Sequence, residues 1–515
     1  MTGRKGADAE LVVPAAPAPP QRPHRPGARE LLAAVLDAGT FVSWDAAPLA
    51  VAEPGSAYAA ELEAAAERAG TDEAILTGEG RIRGHRVAVV VGEFRFLAGS
   101  IGRAAAERIT SAIERATRER LPLFGAPASG GTRMQEGTPA FVTMVKISAA
   151  LAAFKDEKLP YITYLRHPTT GGVFASWGSL GHVTVAEPGA TIGFLGARVY
   201  EALYGEAFPA GVQTAENLYT HGLVDAVLPV EALPEIAGRF LDLVLAPREV
   251  APSPEVPLES LDDVPAWESV LRSRKPERPG VRALLKLGAT DVVPLFGTGA
   301  GEWDRSLFLA LARFEGMTCV VLGQDRRGEQ LEAPLGPSGL RVARRGMRLA
   351  TELDLPLLSV IDTSGAALSK EAEEGGMACE IARCLAELVV LPVPTVCLLL
   401  GQGTGGGALA LMPADRVVCA QHSWLSPLPP EGASAILHRT SDRAPEMAAQ
   451  QRVRSLDLLH AGIVDRIVAE HPDAADEPEA YCLRVAHAIR HELGELSALE
   501  PHARLAARHA RWRAL

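Results

Sequence analysis

Cysteine is scarce in this sequence and absent from its first half. All six cysteines lie from Cys319 to Cys482, and no C-x-x-C pair occurs. The paired-cysteine spacing of structural zinc sites is therefore missing, as are the H-E-x-x-H and acidic calcium-loop motifs. We predict no metal site in the chain. We expect reduced, mostly buried thiols. A cytoplasmic location is expected because no apolar signal-peptide core opens the chain.

The motifs that usually hold a nucleotide or a nucleophilic serine are also missing. No G-x-x-x-x-G-K-[ST] segment occurs, which excludes a phosphate-binding P-loop. Glycines within 401–407 fit the G-x-G-x-x-G fingerprint, but the next predicted strand, 416–420, lacks the acidic residue that would hold a ribose. Ser129 does not stand in a G-x-S-x-G elbow, so we do not expect a nucleophile there. His167 and His182 flank a glycine turn, and we assign neither a role.

Basic residues are fewer than acidic ones, and long apolar runs are few. With 51 basic and 63 acidic residues the net charge is −12, which argues against nucleic acid or an anionic membrane as partner. The longest uncharged run, 388–414, contains Pro392, Pro394 and five glycines. It predicts a buried strand, a glycine loop and a helix start rather than a membrane span. No apolar signal-peptide core opens the chain, and the Pro/Ala/Arg-rich residues 1–28 predict a disordered tail.

What the chain does contain is an internal repeat. Three pairs of segments align in order along the chain, at offsets of 234, 235 and 240 residues. The pairs are 159–173 with 393–407, 128–131 with 363–366, and 221–229 with 461–469. Each copy alternates short apolar strands with amphipathic helices, a pattern typical of parallel sheets with helical crossovers. We therefore predict an α/β protein with two tandem homologous domains.

The repeat also sets the expected domain boundaries. We predict one domain over residues 29–245 and a second over 282–515. Residues 246–281 between them contain seven prolines and many charged residues with little periodicity, so we predict a linker there.

A Gly-Gly turn follows a buried strand in each copy. The turns run from Thr170 to Val173 and from Thr404 to Gly407, and each is expected to open a helix. Backbone N–H groups at such a turn face outward and stabilise an anion, and glycine lets a substrate oxygen approach closely. A tight strand-to-helix connection that needs positive φ would also explain a single turn. The Ser-Gly loop at 128–131 adds a second source of N–H groups, which favours an oxyanion hole.

Two sets of segments resemble the two carboxyltransferase subunits of bacterial acetyl-CoA carboxylase. The segments 128–137, 159–176, 186–199 and 222–228 are similar to the beta subunit. The segments 361–376, 393–411 and 424–437 are similar to the alpha subunit. The resemblance implies two crotonase-like domains of the ClpP/crotonase superfamily fused in one chain. It also implies that a carboxyl group moves from N-carboxybiotin on a carrier protein to the α-carbon of acetyl-CoA or a related acyl-CoA.

The resemblance assigns roles to the two glycine turns. Gly171 and Gly172 would hold the thioester oxygen as it becomes enolate-like, and Gly406 and Gly407 would hold the ureido oxygen of biotin. In such a mechanism the released biotin anion takes the α-proton, so no side-chain base is needed.

The loops that face the two turns carry the other expected site residues. By the same resemblance, Gly130, Gly131, Arg133 and Gly365 would bind substrate.

Differences from the family pattern bear on metal, partners and substrate. The chain lacks the four cysteines of the zinc ribbon that opens the bacterial beta subunit. No Met-Lys-Met biotinylation site and no Gly-rich ATP-binding segment occur, so a biotin carrier and a biotin carboxylase are expected as separate chains. Phe174 and Trp177 stand beside the first turn in place of smaller residues, which leaves the acyl substrate open.

The resemblance also bears on assembly and leaves two alternative functions. The related subunits form a tetramer of two alpha and two beta chains, which implies a homodimer for a fused chain. One alternative function is a biotin-dependent decarboxylase component. The other is a catalytically idle scaffold, against which the intact glycine turns in both halves argue.

Overall fold

The chain folds into two units, each with its own main sheet. The computed structural model describes residues 25–247, 261–327 and 334–515. The N-terminal unit comprises residues 25–246 and 295–303, and the C-terminal unit comprises 261–294 and 304–515. In both units helices connect strands of a largely parallel sheet, which confirms the predicted α/β class.

The main sheet of the N-terminal unit has seven strands. They are β1 (Val42–Ser43), β2 (Ile75–Ile82), β3 (His85–Gly92), β4 (Leu123–Ala126), β5 (Tyr161–Leu165), β7 (Val183–Ala186) and β9 (Ala226–Val227), in that spatial order. β2 and β3 form an antiparallel hairpin, and neighbouring strands from β3 to β9 are parallel. Two short strands, β6 (Thr169–Thr170) and β8 (Ile192–Gly193), form a separate parallel pair next to the first glycine turn.

Seven helices belong to the N-terminal unit. They are α1 (Ala28–Val35), α2 (Ala57–Ala69), α3 (Arg103–Arg118), α4 (Gly137–Asp156), α5 (Ala197–Tyr204), α6 (Ala215–Thr220) and α7 (Leu233–Val244). α3 is amphipathic and buries Ile109 and Ile113 against Ile147 and Leu151 of α4, in one cluster with Tyr161 of β5. This packing fixes the helices that follow β3 and β4, and so fixes the loops at the ends of those strands.

The C-terminal unit repeats this plan. Its strands are β10 (Asp291–Leu295), β11 (Leu307–Phe314), β12 (Met317–Gln324), β13 (Leu357–Thr363), β14 (Thr395–Thr404), β15 (Arg416–Ala420) and β17 (Arg466–Val468), in that spatial order. β11 and β12 are antiparallel, and β12 through β17 pair in parallel. β16 (Trp424–Ser426) pairs with the end of β14, just before the second glycine turn.

The described helices of the C-terminal unit surround this sheet. They are α8 (Ala266–Ser273), α9 (Val281–Gly288), α10 (Pro337–Leu353), α11 (Lys370–Glu374), α12 (Met377–Val389), α13 (Gly405–Leu409), α14 (Pro430–His438), α15 (Ala444–Gln450), α16 (Ser455–His460), α17 (Pro478–Ser497) and α18 (Pro501–Arg513). The uncharged run 388–414 forms β14 and α13 between short loops, which agrees with the predicted strand, loop and helix start.

Three of the predicted domain boundaries differ from the structure or lie outside the described residues. Most of the predicted tail lies outside the described residues, and its last residue, Ala28, begins α1. The predicted linker is structured in its last part, because α8 is amphipathic and buries Ala266 and Val270 against Trp424. The segment 295–303 belongs to the N-terminal unit, where Phe296 stacks on Tyr219 with ring centroids 4.5 Å apart.

One helix in the described part of the chain is long and apolar enough to cross a membrane. It covers Met134–Asp156, which includes α4, with a hydropathy of 1.4. Core helices of soluble proteins pass the same test, and one face of α4 packs on α3.

Candidate active site

The loops beside the two glycine turns occupy equivalent positions in the two sheets. In the N-terminal unit Ile101 and Thr132 form an isolated parallel bridge, and in the C-terminal unit Leu335 and Ala366 do the same. The two residues of the second bridge stand 234 residues after the corresponding residues of the first. The same offset relates the starts of β5 and β14. One repeat frame therefore covers both the loop and the turn in each unit.

A hydroxyl group shapes each of these loops in the same way. Gly131 has φ +112 and its N–H donates to Ser129 Oγ at 3.0 Å; Gly365 has φ +136 and its N–H donates to Thr363 Oγ1 at 3.0 Å. Ser129 thus corresponds to Thr363, which corrects the expected offset of 235 by one residue. The error came from matching Ser129 by letter to the neighbouring serine, whereas the structure matches it to a threonine.

The glycines expected to bind substrate from these loops have occupied N–H groups. The Gly131 and Gly365 donors are bound by the hydroxyls just described, and the Gly130 N–H donates to the Ala98 carbonyl at 2.9 Å. Gly131 and Gly365 turn the loop, because glycine adopts positive φ without strain. None of the three glycines has an N–H free to donate to substrate here, so substrate binding by these glycines stays a prediction.

Gly171 is also committed to the protein. Its N–H donates to the carbonyl oxygens of Gly193 and Phe194, at 3.1 Å in both cases. Its φ is +63, and a Cβ atom there would lie 3.5 Å from Gly131 Cα. Gly171 therefore allows the turn to pack on the facing loop, and the prediction that it is an oxyanion donor is wrong for this conformation.

Gly172 and Thr132 provide the open donors of the first turn. The Ile101 N–H donates to the Gly131 carbonyl, and the Ile101 carbonyl accepts from the Arg133 N–H. The Thr132 N–H therefore points away from this bridge. Among the described residues, neither the Thr132 nor the Gly172 N–H donates a hydrogen bond. A Cβ atom at Gly172 would lie 3.6 Å from Thr132 Oγ1, so the two peptides are neighbours. Open N–H groups on two adjacent loops are what an oxyanion hole requires.

The second turn has the matching pair. Gly405 has φ +63, as Gly171 does, and begins α13. The N–H groups of Gly406 and Gly407 lie in the first turn of this helix, where backbone donors have no partner within the helix. A Cβ atom at Gly407 would lie 3.2 Å from the Ala366 nitrogen, so the facing loop presents its own N–H to the turn.

The two turns lead into different local structures. α13 continues from the second turn as predicted, but residues 171–176 form irregular turns and only the short 3-10 segment Trp177–Ser179 comes after them. The Gly178 N–H reaches back to the Val173 carbonyl at 2.9 Å, which closes the chain before an α-helix can continue. The predicted helix after the first turn is therefore absent.

Arg133 is a structural residue. Its side chain has no exposed surface and forms a buried ion pair with Glu73, and the guanidinium lies 5.3 Å from the centre of the Phe96 ring. Ser100 accepts further hydrogen bonds from the guanidinium. The expectation that Arg133 binds substrate is therefore corrected. Its buried side chain stabilises the loop that faces the first glycine turn.

The histidines near the first turn accept hydrogen bonds from the backbone. His167 Nδ1 accepts from the Thr191 N–H at 3.0 Å, and His182 Nδ1 accepts from the Tyr161 N–H at 2.9 Å. Burial lowers the pKa of His167 to about 4, because it disfavours the charged imidazole. Both are therefore oriented for structural roles, which leaves the chemistry to the backbone donors.

The bulky residues beside the first turn are packed into the unit. Trp177 is 1% exposed and lies in the cluster of α3 and α4, and Phe174 packs against the cluster around Leu165. Trp177 therefore supports the turn from inside. Among the described residues, no group of three or more His, Cys, Asp or Glu side chains could hold a metal ion.

Comparison with known proteins identifies the family. The model of the carboxyl transferase domain matches residues 34–504. The chain belongs to the carboxyl transferase family. A Mycobacterium tuberculosis protein named "Probable biotin-dependent acyl-coenzyme A carboxylase beta3 subunit" is 60% identical over 484 residues, which cover 94% of this chain and 97% of the relative. The carboxyltransferase resemblance found in the sequence is thereby confirmed.

A fused carboxyltransferase and two solved structures are also similar. The "Acetyl-coenzyme A carboxylase carboxyl transferase subunits beta/alpha" of Parafrankia sp. is 36% identical, over 94% of this chain and 85% of the relative. The transcarboxylase 12S structure, described as a hexamer, gives a TM-score of 0.70 at 20% identity over 90% of this chain and 89% of its own. A single-chain long-chain acyl-CoA carboxylase gives 0.70 at 19% identity, over 91% of this chain and 46% of its own. These likenesses confirm the expected fold of two crotonase-like domains.

Sequence reasoning missed Thr132 and Ala366, because neither is a glycine and neither stands in the turn itself. The signal that could have found them is the repeat: a single offset of 234 aligns the two residues with each other.

Proposed function

We propose that this chain is the carboxyltransferase component of a biotin-dependent acyl-CoA carboxylase. The observation that carries the proposal is the repeated set of open N–H donors on adjacent loops, one set in each unit of a carboxyl transferase family member. Carboxyl transfer between a ureido nitrogen and a thioester α-carbon develops negative charge on two oxygens in turn. Two backbone oxyanion sites suit that chemistry.

The N-terminal unit would act on the acyl-CoA. Gly172 and Thr132 would donate to the thioester oxygen, which gains charge when the α-carbon loses its proton. Preorganised donors of this kind typically contribute about 2.7–4 kcal/mol each to transition-state stabilisation. Gly171 would keep the turn close to the facing loop and leave room for the thioester.

The C-terminal unit would act on biotin. Gly406 and Gly407, with Ala366 opposite them, would donate to the ureido oxygen as the carboxyl group leaves. Biotin, carried as its N-carboxy form by a separate protein, supplies both the carboxyl group and the base that takes the α-proton. A side-chain base is then unnecessary, in keeping with the backbone character of both turns.

The acceptor is proposed to be acetyl-CoA or a related acyl-CoA, and malonyl-CoA would be the product from acetyl-CoA. The test is the reverse reaction, carboxylation of free biocytin by malonyl-CoA, methylmalonyl-CoA and longer carboxyacyl-CoA esters. We expect biocytin-dependent loss of the carboxyl group from at least one ester. A second trial replaces biocytin with the biotin carrier protein. If a folded sample turns over none of the esters in either trial, the proposal is contradicted.

A biotin carrier protein and a biotin carboxylase are the proposed partners, together with a second copy of this chain in the cytoplasm. Each unit exposes apolar side chains near its turn: Phe141 and Val145 are 62% and 71% exposed on α4, and Leu368 and Ile436 are 95% and 68% exposed in the C-terminal unit. Exposed patches of this kind mark interaction surfaces. Light scattering should show a dimer or a larger oligomer, and Val145→Lys should weaken it. A monomer at micromolar concentration would contradict this part of the proposal.

A further inference from the structure

A buried side-chain amide joins the end of β12 to the second glycine turn. Gln324 has no exposed surface. Its Nε2 donates to the Gly407 carbonyl at 2.7 Å, and its Oε1 accepts from the Asp362 N–H at 3.2 Å. Both ends of the amide are therefore used, and each is bound by a backbone group.

The Gly407 carbonyl has no partner within its own short helix. The Ala410 N–H donates to the Gly406 carbonyl at 3.0 Å, and the Leu411 N–H donates to the Ala408 carbonyl at 3.2 Å. The carbonyl of Gly407 is skipped between them. A buried carbonyl left without a donor is destabilising, so Gln324 supplies a bond that the backbone needs.

Asp362 ties the other end of the same segment. Its carboxylate is 1% exposed, and Oδ1 accepts from the Gln402 N–H at 3.0 Å. Gln324 binds the peptide of Asp362 on one side and that of Gly407 on the other. The chain between Gln402 and Gly407 is thus held at both ends by two buried side chains.

We propose that Gln324 is a positioning residue for carboxyl transfer. By holding the Gly407 carbonyl it restricts the ψ angle of Gly407, and so fixes the Gly407 N–H relative to β12. This inference rests on the proposed function, because it assigns that donor to biotin. No side chain of β3 does this in the N-terminal unit, because aligning β3 with β12 places Gly92 opposite Gln324; there the Ser176 hydroxyl donates to the Gly172 carbonyl at 2.6 Å instead. The effect is therefore specific to the biotin side.

The first test is Gln324→Met, which keeps the volume but removes both hydrogen bonds. We expect the turnover of biocytin carboxylation to fall roughly 10-fold to 100-fold, because small displacements of catalytic groups cost that much. The KM for biocytin should rise, while the KM for the carboxyacyl-CoA should stay within about twofold. Gln450→Met, the same change at an exposed position of α15, is the matched control and should behave as the wild type.

The second test is Gln324→Glu, which offers a rescue that depends on pH. A neutral carboxyl group can donate to the Gly407 carbonyl and accept from the Asp362 N–H, whereas the carboxylate can only accept. The nearest charged group to the Gln324 side chain is Asp362. Arg326 lies 3.7 Å from the Asp362 carboxylate, and Arg278 and Asp325 also act on that carboxyl group. Burial raises the pKa of a carboxyl group, so turnover should be highest at the acidic end of the range and fall as pH rises. The turnover of the wild type should not show this fall with rising pH.

A third measurement does not need turnover. In Gln324→Met, the hydrogen-bonded amides of Asp362, Ala410 and Leu411 should exchange with deuterium at least tenfold faster, and those of Thr170 and Gly171 should be unchanged. This reading stands even if no ester is a substrate, so failure of the proposed function and failure of the positioning role can be told apart.

Two outcomes would overturn the inference. One is a folded Gln324→Met protein with turnover within twofold of wild type and unchanged exchange at Asp362, Ala410 and Leu411. The other is a loss of turnover in Gln324→Glu that is equal at every pH and raises both KM values together, as a general distortion of both turns would.

Discussion

The two glycine turns share one backbone plan but are held in place by different groups. In the N-terminal unit the carbonyls of Gly193 and Phe194 bind the Gly171 N–H. In the C-terminal unit the buried amide of Gln324 binds the Gly407 carbonyl. In the first turn the nearby Ser176 hydroxyl also donates to the Gly172 carbonyl at 2.6 Å, whereas the side chain that holds the second turn comes from another strand of the sheet.

The same contrast appears at the strand next to each loop. Gly92, opposite Gln324 in the repeat, has no side chain, and its carbonyl accepts from Arg166 Nη1 at 2.6 Å. The two units thus share the pairs of N–H donors, whereas the supporting side chains differ between them. Each turn can therefore be perturbed separately by mutation, which makes the comparison open to experiment.

The largest expected effects break a buried ion pair behind each turn. Arg133 pairs with Glu73 in the N-terminal unit, and Arg278 pairs with Glu470 at 2.6 Å in the C-terminal unit; neither arginine side chain is exposed. Removing one partner leaves a buried charge uncompensated, so Arg133→Met and Arg278→Met should each destabilise their own unit by about 3–5 kcal/mol. Hydrogen exchange under native conditions, read separately for the two units, measures the free energy of unfolding of each unit.

Arg443→Met is the control for that comparison, because Arg443 and its partner Glu446 are both exposed. Its exchange pattern should match the wild type. Equal destabilisation by all three variants would show that the burial of the charge is not what matters.

The next effect tests the donors themselves. Gly172 and Gly406 are the equivalent glycines, and neither has positive φ, so a side chain does not strain the backbone. Gly172→Val and Gly406→Val should lower kcat/KM about 10²-fold to 10³-fold by covering the N–H groups. The Gly406 change also crowds Ile381 Cδ1, 2.8 Å from the new Cβ, whereas Met144 lies at 3.4 Å at Gly172. A folded variant with turnover within tenfold of wild type would remove that glycine from the site.

Most of the fold could be predicted because it repeats. Periodic apolar segments and a constant offset indicate parallel strands and helices without knowledge of any contact. The linker was misjudged because α8 is short and flanked by prolines, so its amphipathic face against Trp424 shows only in the fold.

The site was predicted at the level of the turns but not of individual donors. Gly172, Gly406 and Gly407 keep the expected role in the proposal, whereas Gly171 and Arg133 do not. What decides the latter two is contact with residues far along the chain, Phe194 and Glu73, which no local pattern indicates. Hydrogen-bond satisfaction is a property of the folded backbone, so sequence alone places the glycines without showing which N–H groups stay open.

The smallest expected effect separates the units by pH. His167 in the N-terminal unit has a pKa lowered to about 4 by burial, against about 6.5 in an unfolded chain. The unfolded state then binds more protons between these values, so this group's contribution to stability is complete above pH 6.5 and is lost as pH falls to about 4. Glu470 in the C-terminal unit is buried, and Arg278 more than offsets the desolvation and lowers its pKa to about 2. Its contribution is complete above about pH 4.3 and is lost as pH falls toward 2.

Between pH 6.5 and 4.5 the N-terminal unit should therefore weaken. Burial also lowers the pKa of His422 in the C-terminal unit, so that unit should lose stability as pH falls below 6.5 as well. Urea unfolding followed by hydrogen exchange for each unit, corrected for intrinsic exchange rates, measures the two midpoints separately. His167→Gln keeps an acceptor for the Thr191 N–H but does not titrate, so it should flatten the dependence of the N-terminal unit without changing that of the C-terminal unit. An unchanged slope for the N-terminal unit in His167→Gln would assign its pH dependence to other groups.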